Sequence, residues 1–578
     1  MKRRRMILRV LVILIFAVLA ARLWQIQIIH GREYRRASEE NRIRVIPRQA
    51  PRGVMYDRRG RVLATSRLCF DVVVVPEEIE AQPQAVAELA AVLGETPADI
   101  ADKLARRQAP VKGVTLAADV PLAVATRAAE AALHVKGMRL QTRPVRNYPL
   151  GAFAAHVLGY VRDISAIELK RVRGSGYTAR DKIGKDGVER VLEASLRGSD
   201  GGEQVEVNAA GNLVRILGEV PAVAGDAIVL NLDAEVQRVA ERGLCGKRGA
   251  AVVMGADNGG ILALASTPSF DPNALCGKIS RRQWGYLNGP DRPQQNRAAG
   301  ALYEPGSVFK LITAVAAIEG GRATRASRFS CPGYYRLGEW RFRCWREEGH
   351  GRLDLISGMA GSCNVMFIKM GRSVGQAALE RWARAFGLGC ETGIDLADES
   401  SGLVPNPGWK RRRSGLPWYP GDTCQMAVGQ GGLLITPLQA AVVTAAVANG
   451  GYLVTPHLVR AVGDSRIEAP APRPVPVKAS TLALVRQGMA AVVKRGTARR
   501  IWDASFPIAG KTGTAENPHG PPHAWFVGFA PVERPEVVVA VLVEQGGKGA
   551  GAAPMGAALL RSALRRDRAN QGAMAKLP

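Results

Sequence analysis

The chain has 578 residues, 47% hydrophobic and 22% charged, with 79 Lys and Arg against 51 Asp and Glu for a net charge of +28. Such a length exceeds one hydrophobic core and implies roughly three to four folded units, and this balance of apolar and charged residues excludes wholesale disorder beyond short tails. The positive excess suits anionic surfaces such as lipid headgroups, wall polyanions or nucleic acid, but the basic residues are dispersed and no helix-turn-helix, zinc-finger or aromatic RNA-binding pattern appears, which argues against nucleic acid.

MKRRR opens the chain and MILRVLVILIFAVLAARLWQIQII follows, in which Met6 to Ile29 carries only Arg9 and Arg22 as charges, both near the ends. A run of this kind spans a bilayer as a helix while its terminal basic side chains snorkel. The basic cluster precedes the span and no second span follows, so the positive-inside rule puts the N-terminus in the cytoplasm and everything after His30 outside. A signal peptide cleaved after Val18-Leu19-Ala20 is the competing reading. The apolar run continues through Leu23, Trp24, Ile26 and Ile28, with Trp24 at the interface, and favours an uncleaved anchor.

PRGVMYDRRGRVLATS, residues 51–66, predicts two short extended pieces around a polar turn at Asp57 to Gly60, with Arg52, Asp57 and Arg58 in a membrane-proximal unit. Residues 85–107 predict two short helices broken at Gly94 to Pro97, the second capped by Thr96. Residues 184–198 read as one helix, and residues 205–217 alternate like a hairpin turning at Gly211-Asn212. A new regime starts near Gly225. DAIVLNLDAEVQRVAERGL predicts a strand then a helix, and residues 249–267 two apolar strands around a turn at Asp257 to Gly260. Helical pattern dominates from Lys310 to Asn449, strands return in HAWFVGFAP and EVVVAVLVEQ, and the Arg-rich end after Ala563 reads as loose. Strands, helices, then strands predict an α+β layout, a sheet whose ends close together around a helical subdomain.

EPGSVFK, Glu304 to Lys310, pairs a serine and a lysine three apart at the start of an apolar run, LITAVAAIEGG. A helix apolar on all sides is buried. Ser307 and Lys310 then share a face at its N-terminal end, where free backbone N–H groups suit an oxyanion and desolvation favours the neutral amine that can deprotonate a serine. Alone the pattern is weak, since residue frequencies supply roughly one Ser-x-x-Lys by chance. Two partners strengthen it. Ser362-Cys363-Asn364 falls in a stretch with helical pattern, its hydroxyl and amide two residues apart. Lys511-Thr512-Gly513-Thr514 opens an extended segment in which Gly513 would let a substrate backbone come close and the threonine hydroxyls would hold a carboxylate.

This trio, in this order, resembles the signature of penicillin-binding proteins and class A β-lactamases. With RGVMYDRRGRVLA, GYVRDIS, GKDGVER, STPSFDPN, GHGRLDL, WYPGDT, VGQGGLLITPLQ and HAWFVGFAP, the resemblance extends from Arg52 to about Leu564 and is closest to the elongation-type class B penicillin-binding proteins, monofunctional D,D-transpeptidases of the cell wall. It implies a cytoplasmic tip and membrane anchor over residues 1–30, an elongated, mixed α/β, non-catalytic pedestal of the dimerisation type over 31–225, a transpeptidase domain with helices on both sides of a sheet plus an all-helical subdomain over 226–565, and a flexible tail over 566–578. It further implies that Ser307 attacks the penultimate D-Ala carbonyl of a stem pentapeptide and Lys310 takes its proton. Ser362 relays a proton to the leaving amine, Asn364 binds a substrate amide and Lys511 supplies positive potential. Thr512 and Thr514 hold the terminal carboxylate, the N–H groups of Ser307 and Thr514 form the oxyanion hole, and β-lactams acylate the same serine.

Eight cysteines in an extracytoplasmic protein permit disulfides. Cys331, Cys344, His350 and Cys363 lie within 33 residues at gaps of 12, 5 and 12, and three thiolates with an imidazole suit closed tetrahedral zinc; the resembled family binds a metal in this region. A Cys331–Cys344 disulfide beside an ordinary His350, or unlinked thiols, are the alternatives. Cys69, Cys245, Cys276, Cys390 and Cys424 read as small buried residues. His523 reads as structural, Glu516 as second to the KTGT strand or solvated, and Trp418 and Tyr419 as packing residues; His30 and His519 suggest no role. No cofactor is required for the chemistry.

A septal transpeptidase and a D,D-carboxypeptidase or β-lactamase with the same nucleophile remain alternatives, although a long unit after an uncleaved anchor favours the transpeptidase. A β-lactam sensor would need further spans and His-Glu-x-x-His, and a bifunctional enzyme a glycosyltransferase motif; the sequence has neither. By resemblance, the partners are a multispanning glycosyltransferase of the rod-elongation (SEDS) type and elongation scaffold proteins, at the cytoplasmic (inner) membrane with the catalytic domain in the periplasm.

Overall fold

The computed structural model describes residues 2–30, 43–105, 114–179, 181–207, 213–277, 279–518 and 520–574. Helix α1, Lys2–Trp24, continues as a π-helical turn over Gln25–Ile29, and the 24 residues Met6–Ile29, with a mean hydropathy of 2.6, are long and apolar enough to cross a bilayer.

The chain divides into two compact units. The first comprises residues 1–53, 66–145 and 197–225. In it, strands Ile43–Arg48, Gly201–Val207 and Leu213–Val220 form an antiparallel sheet with Gly201–Val207 central. Helices Ala85–Leu93, Pro97–Ala105 and Leu122–Ala131 bury Leu89, Ile100, Leu104 and Ala128 in a cluster with Val72, Val74, Leu116 and Met138. The break between the first two helices lies where the sequence predicts it. Gly94 ends one in the left-handed conformation at φ 70°, and the Asp99 N–H donates to the Thr96 hydroxyl at the start of the next. The predicted hairpin turn at Gly211-Asn212 lies outside the described residues.

The second unit comprises residues 54–65, 146–196 and 226–578, so Asp57 and Arg58 belong with it and not with a membrane-proximal unit. Asp57 is buried and accepts N–H bonds from Arg59, Arg61 and Ala234, which ties the turn to helix α2, Ala234–Leu244. Residues 184–198 form two short helices, Gly187–Val191 and Glu193–Arg197, rather than one, with the chain turning at Leu192. The first of them carries the fully buried Glu189, which accepts from Arg146 Nε at 2.5 Å and the Tyr148 hydroxyl at 3.1 Å.

Strands β1 (Gly249–Gly255) and β2 (Ile261–Thr267) form the predicted hairpin. The chain then builds α3 (Lys310–Glu319), α4 (Leu355–Ala360), α5 (Asn364–Val374), α6 (Pro437–Ala448) and α7 (Ala479–Arg495). It returns as β3 (Ala509–Asn517), β4 (Gly520–Ala530) and β5 (Val537–Val543), and ends in α8 (Ala553–Met574), helical where a loose end is predicted. The five strands make one antiparallel sheet in the order β2-β1-β5-β4-β3. Central β5 reads VVVAVLV because both of its faces are covered. Val538, Ala540 and Leu542 join a core with α3 and α6, while Val537, Val539 and Val541 join one with α2 and α8. Every residue of α6 is buried. Within the helical stretch the structure adds two ladders that helix periodicity hides, Arg328–Cys331 with Gly351–Asp354 and Tyr334–Leu337 with Trp340–Arg343.

Candidate active site

Gly306–Val308 forms one 3₁₀ turn that runs through Phe309 into α3. Residues three apart eclipse in such a turn, which aligns Ser307 with Lys310. Val308 and Phe309 are buried, Ser307 is half-buried, and Lys310 is 0% exposed. The turn lies against edge strand β3 because glycines let the backbones meet. A Cβ on Gly306, at φ 51°, would sit 2.6 Å from the Thr514 carbonyl oxygen, and one on Gly513 would sit 2.9 Å from Trp525 Cβ and 3.1 Å from the Pro305 oxygen. Gly513 thus admits the serine-bearing turn, where the sequence reading has it admit substrate. The Trp525 indole N–H fixes the approach through the Glu304 carbonyl at 3.0 Å.

Ser362 is not helical as predicted. It sits between α4 and α5 at φ 51°, a left-handed conformation costly for a side-chain-bearing residue. This break aims its carbonyl and hydroxyl at the lysines. Lys310 Nζ lies 2.9 Å from Ser362 O, 3.3 Å from Ser362 Oγ and 2.6 Å from Asn364 Oδ1. Lys511 Nζ lies 2.8 Å from the same Ser362 Oγ and donates to Thr512 O at 2.8 Å. The structure therefore gathers Lys310, Ser362, Asn364 and Lys511, three motifs separated by 52 and 149 residues, about one hydroxyl. Among the described residues the Ser307 hydroxyl has no hydrogen-bond partner.

Burial pushes Lys310 down to about 8, and burial together with the Lys310 charge holds Lys511 well below its ordinary value. Thr512 is buried, its hydroxyl 2.6 Å from that of Thr497, while the Thr514 hydroxyl is exposed and accepts the Gly549 N–H at 3.0 Å. Thr497 and Gly549 escape the sequence reading because neither falls in a motif and each meets β3 only through the fold. So does Trp345, whose indole N–H donates to the Gly361 carbonyl at 2.9 Å.

Cys331, Cys344, His350 and Cys363 converge, all four candidate ligand atoms within 4.8 Å of one another. His350 Nδ1 is 3.7 Å from Cys331 Sγ and 3.5 Å from Cys344 Sγ. Tetrahedral zinc with ordinary bond lengths sets sulfur and nitrogen about 3.6 Å apart, so this donor set fits the ion. Cys363 Sγ also accepts the Met366 N–H at the start of α5. All eight cysteines are unpaired thiols, so the Cys331–Cys344 disulfide is not formed. Cys69, Cys276 and Cys424 are buried as predicted, but Cys245, at the C-terminal cap of α2, and Cys390, in the turn after helix Gln376–Ala385, are exposed.

His523 packs edge-on against Tyr303 and its Nδ1 accepts the Gln545 N–H at 3.1 Å. Glu516 and Tyr419 are exposed, Trp418 donates to the Thr423 hydroxyl at 2.9 Å, and His519 lies outside the described residues.

The model of the penicillin-binding protein transpeptidase domain matches residues 249–561, and that of the penicillin-binding protein dimerisation domain residues 47–230. The chain is 35% identical over 579 residues to the peptidoglycan D,D-transpeptidase MrdA of Escherichia coli K12, covering 95% of this chain and 92% of that protein. It superposes with a TM-score of 0.80 and 28% identity on the penicillin-binding protein PBP2 solved with MreC from Helicobacter pylori, covering 90% of this chain and 99% of that one. A chain from a peptidoglycan synthase complex, solved in a study of coordinated polymerization and crosslinking, superposes with a TM-score of 0.74 and 33% identity over 96% of this chain and 98% of that one.

Proposed function

Since this chain belongs to the class B penicillin-binding proteins and is a peptidoglycan D,D-transpeptidase of the cell-elongation type, we propose that Ser307 is its nucleophile and Lys310 the base that activates it. Ser307 Oγ attacks the carbonyl of the penultimate D-Ala, and its proton passes to the Lys310 amine. The oxyanion is held by the main-chain N–H groups of Ser307 and Thr514. Ser362 delivers a proton to the departing terminal D-Ala, Asn364 binds a substrate amide, and Lys511, Thr512 and Thr514 receive the terminal carboxylate. An amine of a neighbouring stem peptide then takes the acyl group and regenerates the serine. β-Lactams stop at the acyl-enzyme stage.

The observation that carries this reading is the Ser362 hydroxyl standing between Lys310 and Lys511, at 3.3 and 2.8 Å. It gives the protons of nucleophile and leaving group one short relay. Labelled penicillin with peptide mass mapping tests it: Ser307→Ala abolishes covalent labelling, and Lys310→Ala slows it by about 10³-fold or more with the fold intact. An adduct on another serine overturns the assignment.

The Cys331, Cys344, His350 and Cys363 cluster we assign to structural zinc. Cys331, Cys344, His350 and Cys363 would hold the ion, which would brace the segment carrying Ser362, and catalysis needs no other group. Helix α1 is the anchor, with its basic tip in the cytoplasm and the catalytic unit in the periplasm. Because relatives were solved with MreC and within a synthase complex, a SEDS-type glycosyltransferase and elongation scaffold proteins are the partners we assign to this chain.

A further inference from the structure

Beside β3, and apart from the lysine and serine cluster, lies a cavity of about 540 Å³ lined in part by Gly496, Thr497, Arg499, Arg500, Gly546 and Lys548. Its three cations are exposed with no ion-pair partner among the described residues. The nearby carboxylate of Asp503 is engaged by Arg561 at 2.9 Å. Two walls of this cavity are bonded to the threonines of β3. Thr497 meets the Thr512 hydroxyl at 2.6 Å, and Gly549, which follows Lys548, donates to the Thr514 hydroxyl at 3.0 Å.

In the reaction above the terminal D-Ala leaves from the side of Thr512 and Thr514. The acceptor amine replaces that leaving amine on the acyl carbon, so by microscopic reversibility it enters from the same side. Stem peptides carry carboxylates, both beside the reactive amine and on residues further along. Guanidinium and ammonium groups bind carboxylates through charge-assisted hydrogen bonds. We propose that the Arg499, Arg500 and Lys548 cavity is an acceptor subsite that binds a carboxylate of the incoming stem peptide and so favours aminolysis of the acyl-enzyme over hydrolysis. This inference rests on the transpeptidase reading.

The test uses the full chain in detergent with a soluble D-Ala-D-lactate depsipeptide donor. Three acceptors are compared: a stem tripeptide with free carboxylates, the same tripeptide amidated at every carboxylate, and D-alanine. Wild type is set against Arg499→Gln, Arg500→Gln and Lys548→Gln combined, reading the aminolysis-to-hydrolysis ratio, the acceptor KM and the rate of penicillin labelling. Labelling stays within about twofold, which shows an intact fold and nucleophile, while the ratio for the charged tripeptide falls about tenfold with a raised KM and that for the amidated tripeptide does not change. A matching fall with D-alanine assigns the cavity to the carboxylate beside the amine, and no fall there assigns it to carboxylates further along. An unchanged ratio for the charged tripeptide, or an equal loss with the amidated one, overturns the subsite alone. Wild type that labels with penicillin but transfers to no acceptor overturns the transpeptidase reading and the subsite with it.

Discussion

Counting hydrogen-bond capacity shows how Lys310 is suited to the role proposed for it above. A neutral amine has two hydrogens and one lone pair. Ser362 O at 2.9 Å and Asn364 Oδ1 at 2.6 Å take the two hydrogens, which leaves the lone pair for a hydroxyl proton. An ammonium there would face Lys511 across the Ser362 hydroxyl, and burial makes two such charges costly. Burial puts Lys310 at about 8, so the amine is protonated and inert below that pH and neutral above it. The second-order rate of benzylpenicillin labelling should therefore climb about tenfold per pH unit below 8 and level off above it, while Lys310→Arg, which stays protonated, labels at no pH. A flat profile from pH 6 to 9 would remove Lys310 as the base. The types and order of these residues were legible in the sequence, but the backbone of Ser362 was not. GMAGSCNVMFIKMG carries a helical pattern, and the left-handed residue inside it is held by long-range bonds to lysines that no local pattern encodes.

The elements around that break explain how it persists. Helix α4 ends at Ala360 and α5 starts at Asn364, capped by the Cys363 sulfur, so the strained residue is pinned by a cap on one side and by the carbonyl contact to Lys310 on the other. With the zinc proposed above bound, the cysteine and histidine cluster would add a cross-link from the two strands upstream of α4. Asn364 Nδ2 also donates to the Arg343 carbonyl in the neighbouring hairpin at 3.3 Å. Metal analysis of the purified protein should find one zinc per chain. Chelation should lower the melting temperature and slow penicillin labelling about tenfold or more, with recovery on adding Zn²⁺, and Cys331→Ser should reproduce the loss without recovery. Labelling indifferent to chelation would make the cluster irrelevant to the position of Ser362. Cysteine and histidine spacing was enough to suggest the donor set. It could not choose among zinc, disulfide and free thiols, since that choice depends on where Cys363 arrives in space.

At the scale of the molecule, the order of strands, helices and strands sufficed to foresee the catalytic sheet, because its apolar runs are long and its hairpin turn is marked by glycines. Less legible was which early segments belong with it. Residues 54–65 and 146–196 are short pieces without strong periodicity, and they join the second unit by burying Met55, Leu63, Tyr148, Phe153, Val157, Leu158, Val161, Val188 and Leu196 in the same apolar cluster as α3 and α6. Each large buried side chain contributes about 1.5–3 kcal/mol, so together these nine match or exceed the roughly 5–15 kcal/mol by which a domain is stable. A boundary at 225/226, natural from composition, therefore cuts through a core. A chain beginning at residue 226 should be insoluble or unfold without cooperativity, with an exposed apolar face and no penicillin labelling, whereas one beginning at residue 31 should melt cooperatively and label at Ser307. Thermal unfolding and labelling of the two side by side decide the matter, and a soluble 226–565 fragment that melts sharply and takes up penicillin would show that the early segments are dispensable to the catalytic fold.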